Sequence, residues 1–226
     1  MKEYRQHRFT RPPGATEILL VRHGESRPAR PEEPFPLVDG HGDPELSEIG
    51  REQAIRVGER LRSAPIDAIY VTNLRRTLET AMPLVGHLGL EPVVEPDLRE
   101  VHLGEWEGGK LRMMAYNNDP VYQQMQTEER WDVIPGAESF DALNARVMAA
   151  LSRIATRHPD QLVAAFVHGG IVGHVLAHAT GSRAFAFNGA DNGSISHIVM
   201  LPDRIVVRGF NDRTHLEGAV SDGAMT

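Results

Sequence analysis

Residues 18–26 read ILLVRHGES, an apolar run that stops at an arginine, a histidine and a glycine. The apolar and β-branched residues of TEILLV, residues 16–21, predict a buried strand. Ligands bind beyond the carboxyl ends of the strands in an open α/β sheet. The stretch therefore predicts a rigid strand that carries Arg22 and His23 into a binding site.

Strands and helices alternate along the rest of the chain. Strands are predicted at residues 66–71, 91–95 and 161–167, amphipathic helices near 46–63, 73–89, 139–158 and 169–181, and a final hairpin over 194–210. This alternation predicts an α/β fold, a three-layer α/β/α sandwich with a mainly parallel sheet. Because the sequence contains no repeat and no linker, residues 1–226 are predicted to form a single domain with flexible termini.

Two segments are predicted to be irregular. Residues 27–46 contain five prolines, which predicts a long loop. Residues 101–135 are rich in Gly, Trp, Tyr and Met and directly follow a strand end. We interpret this second segment as a cap insertion over the pocket, with plain core packing of its aromatic residues as the alternative.

The composition excludes several classes of function. The 226 residues carry a net charge of -7 and no cysteine. Disulfides, thiol nucleophiles and cysteine-ligated zinc are therefore excluded, and nucleic-acid binding, which needs a basic surface, is disfavoured. Since no stretch could span a bilayer and the first residues lack a signal peptide's apolar core, we expect a cytoplasmic protein without a membrane partner.

Four strand ends offer side chains that can act together. They contribute Arg22-His23-Gly24, the adjacent Arg75 and Arg76, Glu100, and His168-Gly169-Gly170. A neutral imidazole is a nucleophile toward phosphorus, and planar guanidinium groups bind phosphoryl oxygens in pairs. A carboxylic acid can protonate the leaving oxygen and later accept a proton from water. The set predicts phosphoryl transfer that requires no metal ion and no other cofactor.

Four motifs resemble those of the histidine phosphatase superfamily, also called the phosphoglycerate mutase-like family. VRHGES contains the R-H-G-[EQ]-[ST] signature, and TNLRRTLETA is similar to S-x-L-x-R-[AT]-x-x-T-A. LREVHLGEWEG is similar to L-x-E-x-x-x-G-x-W-E-G, and AFVHGGIV to V-x-H-G-G. The matches follow the family order across residues 17–173, so the resemblance implies a phosphoglycerate mutase-like fold.

The resemblance also implies a role for each matched residue. His23 would form a phosphohistidine, with Arg22 and Arg76 as the clamp on the phosphoryl group. His168 would be the electrostatic partner and Glu100 the acid and base. The residues expected to bind the substrate are Arg22, Gly24, Ser26, Arg76, His168 and Gly169.

Neighbouring residues compete for two of these roles. Spacing alone does not separate Arg75 from Arg76, and the family pattern selects Arg76. Glu100 has three carboxylate rivals, and its position relative to the preceding leucine favours it; the rivals are Asp97, Glu105 and Glu107.

Three further motifs have alternative interpretations. Ser26 either contacts phosphate or only caps the following turn. HGGIVG is an incomplete dinucleotide-binding loop, which disfavours that function. His174 and His178 have a helical spacing that can ligate zinc, but packing or surface roles are favoured because the zinc-protease glutamate is missing.

The chain departs from the mutase branch after the first motif. That branch continues with x-W-N and then G-W-x-D, whereas residues 27–46 contain neither Trp nor Asn. The sequence therefore predicts a metal-independent phosphomonoester hydrolase that acts on a small phosphorylated metabolite and releases inorganic phosphate. A phosphoglycerate mutase, which is an isomerase, and a non-catalytic phospho-ligand-binding protein are the alternatives. The substrate and the oligomeric state stay open, with a homodimer as one candidate.

Overall fold

The computed structural model describes residues 3–216, which contain a six-stranded central sheet and a separate two-stranded ribbon. In chain order the strands are β1 (Thr16–Arg22), β2 (Leu37–Val38), β3 (His41–Gly42), β4 (Ala68–Val71), β5 (Pro92–Val94), β6 (Leu162–Val167), β7 (Ile195–Met200) and β8 (Ile205–Asp212). The central order is β5-β4-β6-β1-β7-β8. The first four of these strands are parallel, while β7 and β8 are each antiparallel to the preceding strand. The predicted mainly parallel sheet is confirmed.

Six α-helices connect or cover these strands within the described residues: α1 (Glu48–Leu61), α2 (Arg75–Leu88), α3 (Lys110–Tyr116), α4 (Pro120–Glu128), α5 (Phe140–Arg157) and α6 (Gly169–Thr180). Their ends follow the predicted signals. The Ser47 hydroxyl accepts the Gly50 N–H at 3.0 Å, which caps α1. Gly89 and Gly181 end α2 and α6 in the left-handed conformation that glycine adopts without strain.

The two faces of the sheet are both buried, as expected for parallel strands flanked by helices. Alternate residues of β1 point to opposite faces because the side-chain period of a strand is two. Ile18 and Leu20 pack with α5 and α6, whereas Val21 packs with α1 and α2. One core packs on each face of β1, so the carboxyl end of this strand and the residues that follow it are held in place.

Residues 27–46 contain a hairpin that the sequence analysis missed. Strands β2 and β3 are joined by Asp39 and Gly40, which both have positive φ, 48° and 83°. Asp-Gly is a strong signal for a two-residue hairpin turn, because both central residues need positive φ. Because each of these strands has only two residues, the sequence contains no alternation of apolar and polar residues that would predict them.

Residues 101–135, called here the aromatic segment, are closed at their base. Leu103 and Ala137 form an isolated antiparallel bridge, and the Glu105 N–H donates to the Pro135 carbonyl at 2.9 Å. A Cβ on Gly104 would lie 2.2 Å from that carbonyl oxygen, so only glycine fits there. The core of the aromatic segment is a small cluster built around Trp106, Met125 and Ile134.

The ends of the chain complete the description. Residues 3–10 are exposed and lack regular structure, and the flexibility of the N-terminus stays a prediction. Residues 1–2 and 217–226, which include the predicted flexible C-terminus, lie outside the described residues. The single-domain assignment stays a prediction. Between residues 3 and 216, every helix is too short or too polar to cross a bilayer.

Candidate active site

A cavity of about 240 Å³ lies at the carboxyl ends of the parallel strands. Its wall contains residues that follow β1, β4 and β6, together with part of the 27–46 loop and the aromatic segment. Four of the five predicted catalytic residues line it directly: Arg22, His23, Arg76 and Glu100. The fifth, His168, is fully buried behind His23, with the two ring centroids 5.2 Å apart.

His23 is held with one ring nitrogen aimed at Arg76. Its Nδ1 lies 2.7 Å from the Gly24 carbonyl oxygen, which can only accept a hydrogen bond. Nδ1 therefore carries the proton, and Nε2 keeps a lone pair. The Nε–H of Arg76 donates to Nε2 at 3.2 Å. The lone pair thus faces the place where an anion between the arginines would sit.

The His23 ring is neutral at physiological pH. Burial lowers its pKa well below the usual 6.5, and the positive charges of Arg76 and Arg22 lower this pKa further. A buried imidazole next to two cations avoids a third positive charge by losing its proton. The neutral form is the one that can attack an electrophile.

Two guanidinium groups flank the His23 ring. The Nη1 of Arg76 donates to the Gly42 carbonyl at 2.8 Å, and the Nη1 of Arg22 donates to the Ala190 carbonyl. The Nε of Arg22 is buried without a hydrogen-bond partner. Burial lowers the pKa of Arg76 to about 10 and also lowers that of Arg22, while Glu100 opposes both changes. Both arginines stay charged at neutral pH, and Arg22 has a donor to offer an anion.

The structure also separates Arg76 from its neighbour Arg75. Arg76 is buried and contacts His23, whereas Arg75 is half exposed and pairs with Glu79 at 3.0 Å. The helical turn at the start of α2 directs consecutive side chains to different sides. The predicted choice of Arg76 therefore agrees with its position.

His168 precedes α6 and is fixed through one nitrogen. Its Nε2 lies 3.1 Å from the Thr72 hydroxyl, while its buried Nδ1 has no partner. Burial lowers its pKa well below 6.5, and the charge on Arg76 lowers it further. A buried polar atom without a partner is unusual and needs an explanation. The orphan Nδ1 is explained if a ligand oxygen binds there.

Glu100 is tied to the backbone at the edge of the cavity. Its Oε1 accepts the Val101 N–H at 3.0 Å and its Oε2 accepts the Gly170 N–H at 3.2 Å. A Cβ on Gly170 would approach Oε1 to 2.5 Å, so this contact requires glycine. The backbone contacts leave the carboxyl group beside the two arginines.

The three rival carboxylates lie elsewhere. Asp97 accepts a hydrogen bond from Arg153 at 2.6 Å, and Glu105 is exposed. Glu107 accepts the Gly42 N–H at 2.7 Å and the Leu103 N–H at 2.9 Å, so it ties the 27–46 loop to the aromatic segment. Only Glu100 of this group lines the cavity.

The three remaining predicted residues have different surroundings. Gly169 lines the cavity at the N-terminus of α6, where free N–H groups favour anions. Ser26 is buried, and its hydroxyl accepts a hydrogen bond from Arg112 at 2.7 Å. The Gly24 N–H donates to the Thr80 hydroxyl at 3.0 Å.

Gly24 therefore has a packing role in this geometry. A Cβ there would lie 2.4 Å from the Gly50 carbonyl oxygen, so glycine allows α1 to approach the end of β1. Its N–H group is occupied by the Thr80 hydroxyl, and the expectation that Gly24 binds the substrate stays a prediction.

Sequence reasoning missed Arg112, which lies on α3 and lines the cavity. It stands among Leu, Met and Ala residues with no motif around it, so its sequence neighbours carry no signal. Thr72 appeared only as the first residue of the TNLRRTLETA motif, and its hydrogen bond to His168 was not foreseen. The position of Arg112 in the cavity wall and the hydrogen bond of Thr72 both depend on residues that are distant in sequence.

The aromatic segment supplies an apolar wall opposite the arginines. The lining side chains from this segment are Val101, Leu103, Trp106, Leu111, Arg112, Ala115, Tyr122, Met125, Gln126 and Trp131. Most are apolar or aromatic, and several also belong to the segment's own packed cluster. The cavity thus has one charged side and one apolar side.

Fold and site together bring His23, Arg22 and Arg76 to one cavity. Residues 18–213 match the histidine phosphatase superfamily (branch 1). Because this match spans most of the sequence, the chain belongs to that superfamily. The predicted family and the phosphoglycerate mutase-like fold are confirmed.

Curated relatives carry both phosphatase and mutase-like names. Phosphoglycerate mutase-like protein 4 of Arabidopsis thaliana is 33% identical over 210 residues, covering 89% of this chain and 87% of that protein. The metal-independent phosphoserine phosphatase of Arabidopsis thaliana is 30% identical over 205 residues, covering 89% and 83%.

Solved structures give a similar picture. The mycobacterial glucosyl-3-phosphoglycerate phosphatase has a TM-score of 0.70 and 25% identity, with 88% of this chain and 100% of that chain covered. The phosphoglycerate mutase from Bacillus anthracis has a TM-score of 0.76 at 20% identity, with 92% and 97% covered. This last similarity concerns the fold alone.

Proposed function

We propose that the protein is a phosphomonoester hydrolase that works through a phosphohistidine on His23 and needs no metal ion. The observation that carries the proposal is the neutral His23 ring, whose Nε2 lone pair faces Arg76 while its proton is held on Nδ1. The phosphatase names among the relatives support hydrolysis. So does the loop at 27–46, which lacks the Trp and Asn of the mutase branch.

The first step transfers the phosphoryl group to the enzyme. Nε2 of His23 attacks phosphorus, a P–N bond forms, and the P–O bond to the leaving group breaks. Glu100 in its acid form gives its proton to the leaving oxygen, which departs as an alcohol. Arg22, Arg76 and the Nδ1–H of His168 bind the three outer oxygens, whose negative charge persists through the transition state.

The second step returns the enzyme to its starting state. Glu100, now a carboxylate, accepts a proton from a water molecule that attacks the phosphohistidine. The P–O bond to that water forms, the P–N bond breaks, and inorganic phosphate leaves. His23 is again neutral and Glu100 is again protonated, so the cycle is balanced.

The experiment is phosphate release from a panel of phosphorylated metabolites with EDTA present, combined with labelling of the protein by ³²P-substrate. We expect release with EDTA present and an acid-labile, base-stable label on the protein. His23→Ala abolishes both, since the other imidazole proposed to meet the phosphoryl group, His168, is fully buried and is assigned the role of a donor there. His178→Ala, an exposed histidine on α6, is the matched control and keeps both.

Two outcomes would overturn the proposal. Interconversion of 2- and 3-phosphoglycerate without net phosphate release would identify a mutase. Binding of substrates with neither label nor product would identify a non-catalytic phospho-ligand-binding protein. The preference for small molecules, the cytoplasmic location and the oligomeric state stay predictions.

A further inference from the structure

Arg146 on α5 binds the backbone that carries Glu100. Its Nη1 donates to the Asp97 carbonyl at 2.7 Å and to the Arg99 carbonyl at 2.8 Å, and its Nη2 donates to the Glu100 carbonyl at 3.0 Å. One side chain therefore binds three carbonyl groups of one short stretch. Because residues 99–102 belong to neither a helix nor a strand, no regular ladder of backbone hydrogen bonds satisfies these groups.

Glu138 accepts the remaining donors of Arg146. The Nε of Arg146 donates to one carboxylate oxygen at 2.7 Å, and its Nη2 donates to the other at 2.8 Å. A guanidinium has five N–H donors, and here all five have an acceptor. The backbone N–H of Glu138 also donates to the His102 carbonyl at 2.9 Å. The pair therefore binds the chain on both sides of Glu100.

The carboxyl group of Glu100 depends on its backbone for its position. Within residues 3–216, its two oxygens accept the backbone N–H groups of Val101 and Gly170 and no side-chain donor. General acid catalysis needs the acid within about 2.6–3.2 Å of the atom that it protonates, and a misplacement of about 1 Å can reduce a rate by about 10²-fold. Arg146 is not among the described residues that line the cavity. Its effect on a reaction there must therefore pass through the backbone.

We propose that Arg146 is a positioning residue for the proton transfer by Glu100. This inference rests on the proposed function, because it concerns the acid of the first step. Arg146 fixes the carbonyl groups beside Glu100, and Glu138 fixes the guanidinium, so the carboxyl group stays within reach of the leaving oxygen. A lysine has no planar fork and cannot bind three carbonyl groups and a carboxylate at once. The role therefore requires arginine.

The test compares an ester that needs a proton on its leaving oxygen with one that does not. The probes are the alkyl phosphate with the highest turnover in the metabolite panel and p-nitrophenyl phosphate, and kcat/KM is measured for each. We expect Arg146→Lys to lose about tenfold to 10²-fold on the alkyl ester and less than about threefold on the aryl ester. Arg146→Met shows the same difference. Circular dichroism verifies folding, and Arg146→Lys, which keeps a charge beside Glu138, decides the test where Arg146→Met does not fold.

A double-mutant cycle separates positioning from general support of the fold. Added to Glu100→Gln, Arg146→Lys should cost the alkyl ester less than about a further twofold, because the proton donor is already absent. Equal losses on the alkyl and aryl esters in Arg146→Lys overturn the inference. A loss that multiplies fully with that of Glu100→Gln, or no loss at all, also overturns it.

Arg153→Met is the matched control. Arg153 lies two turns further along α5 and binds the side-chain carboxylates of Glu95 and Asp97, not the backbone carbonyls beside Glu100. Its substitution removes an arginine from the same helix and the same neighbourhood. We expect both esters to be unaffected in this variant.

Amide hydrogen exchange measures the same contact without turnover. We expect Arg146→Lys to raise the exchange rates of the Val101 and Gly170 N–H groups, which bind the Glu100 carboxyl, by at least about tenfold. Arg153→Met should leave both rates unchanged, and unchanged rates in Arg146→Lys overturn the inference. Absence of phosphate release from every ester contradicts the proposed function, whereas hydrogen exchange still reports whether Arg146 holds this stretch. The two failures are therefore distinguishable.

Discussion

The two sides of the cavity are built in different ways. The charged side consists of residues that end strands or begin helices of the central sheet, and the two large cores pack against β1 from both faces. The apolar side comes from the aromatic segment, which has its own small cluster and is pinned at its base by the bridge between Leu103 and Ala137. The groups proposed to react are thus held by the sheet, and most of the apolar lining comes from the aromatic segment.

Glu100 lies where these two sides meet. It follows the short helical turn after β5, directly precedes the aromatic segment, and accepts a hydrogen bond from Gly170 at the start of α6. The side chain of Arg112 on α3 also connects the two sides, because it donates a hydrogen bond to the hydroxyl of Ser26 in the first motif. The boundary also has apolar contacts, since Val101 and Trp131 of the aromatic segment pack with the larger core of the sheet.

The largest effect that tests this division is expected from Glu100→Gln. If Glu100 protonates the leaving oxygen, alkyl phosphates lose about 10²- to 10³-fold in kcat/KM, which reports the transfer to His23 and not the later hydrolysis, because general acid catalysis contributes on this scale. An aryl ester such as p-nitrophenyl phosphate needs no proton on its leaving oxygen and loses less than about tenfold. Steady-state kinetics on both esters measure the difference.

Glu105→Gln is the matched control for that experiment. Glu105 is an exposed carboxylate in the same stretch, and its substitution should leave both esters unaffected. Equal losses on alkyl and aryl esters in Glu100→Gln would show that the proton comes from elsewhere.

The sequence located the charged side residue by residue, and for the apolar side it gave only the segment, residues 101–135, without the individual contacts. Periodic apolar runs located β1 and β6, and short motifs at their ends gave His23 and His168. By contrast, Arg112 contacts Ser26 and the loop carbonyl of Arg27, which are 86 and 85 positions away in sequence. Local patterns report the element on which a residue lies, and they do not report which distant loop it meets.

Gly24 shows a second limit of sequence reasoning. Gly24 was expected to bind the substrate, whereas in the structure the absence of a side chain there lets the Gly50 carbonyl approach. The sequence motif shows that glycine is needed at this position, but it does not show which contact requires it. The Asp39-Gly40 turn is the opposite case, since its hairpin signal was present in the sequence and was not used.

An intermediate effect is expected from Tyr122→Ala on the apolar wall. Tyr122 lines the cavity and packs against the cluster of the aromatic segment. Loss of its ring should lower kcat/KM for p-nitrophenyl phosphate by about tenfold, because apolar contact with the leaving group is lost. Methyl phosphate, which is too small to reach the ring, should change by less than about threefold.

Tyr116→Ala is the matched control, because Tyr116 lies on the same segment and is 91% exposed. It should leave both esters unaffected. The label on His23 should persist in both tyrosine variants. Equal losses on aryl and methyl esters in Tyr122→Ala would mean that the aromatic segment supports the catalytic geometry itself, and the division between the two sides would fail.

The smallest effect is a loss of unfolding free energy at mildly acidic pH, which comes from a histidine that packs beside the sheet. His174 lies on α6, its Nε2 is 3.2 Å from the Asn144 side-chain oxygen, and its ring packs on Phe140. Burial lowers the pKa of His174 to about 4, and the charges of His178 and Arg146 lower it further, while Glu138 opposes them. The folded state therefore binds a proton at this ring less readily than the unfolded state does.

Because the folded pKa lies below the unfolded value, the stabilisation from neutral His174 is complete above about pH 6.5 and is lost as the pH falls toward about 4. Between about pH 7 and about pH 5.5 this one group should cost about 1 kcal/mol of unfolding free energy. His174→Gln removes the titrating ring and can still donate to Asn144. Urea denaturation at the two pH values should therefore show a loss that is smaller by about 1 kcal/mol in His174→Gln than in the wild type. An identical loss in both proteins would show that His174 does not carry this pH dependence.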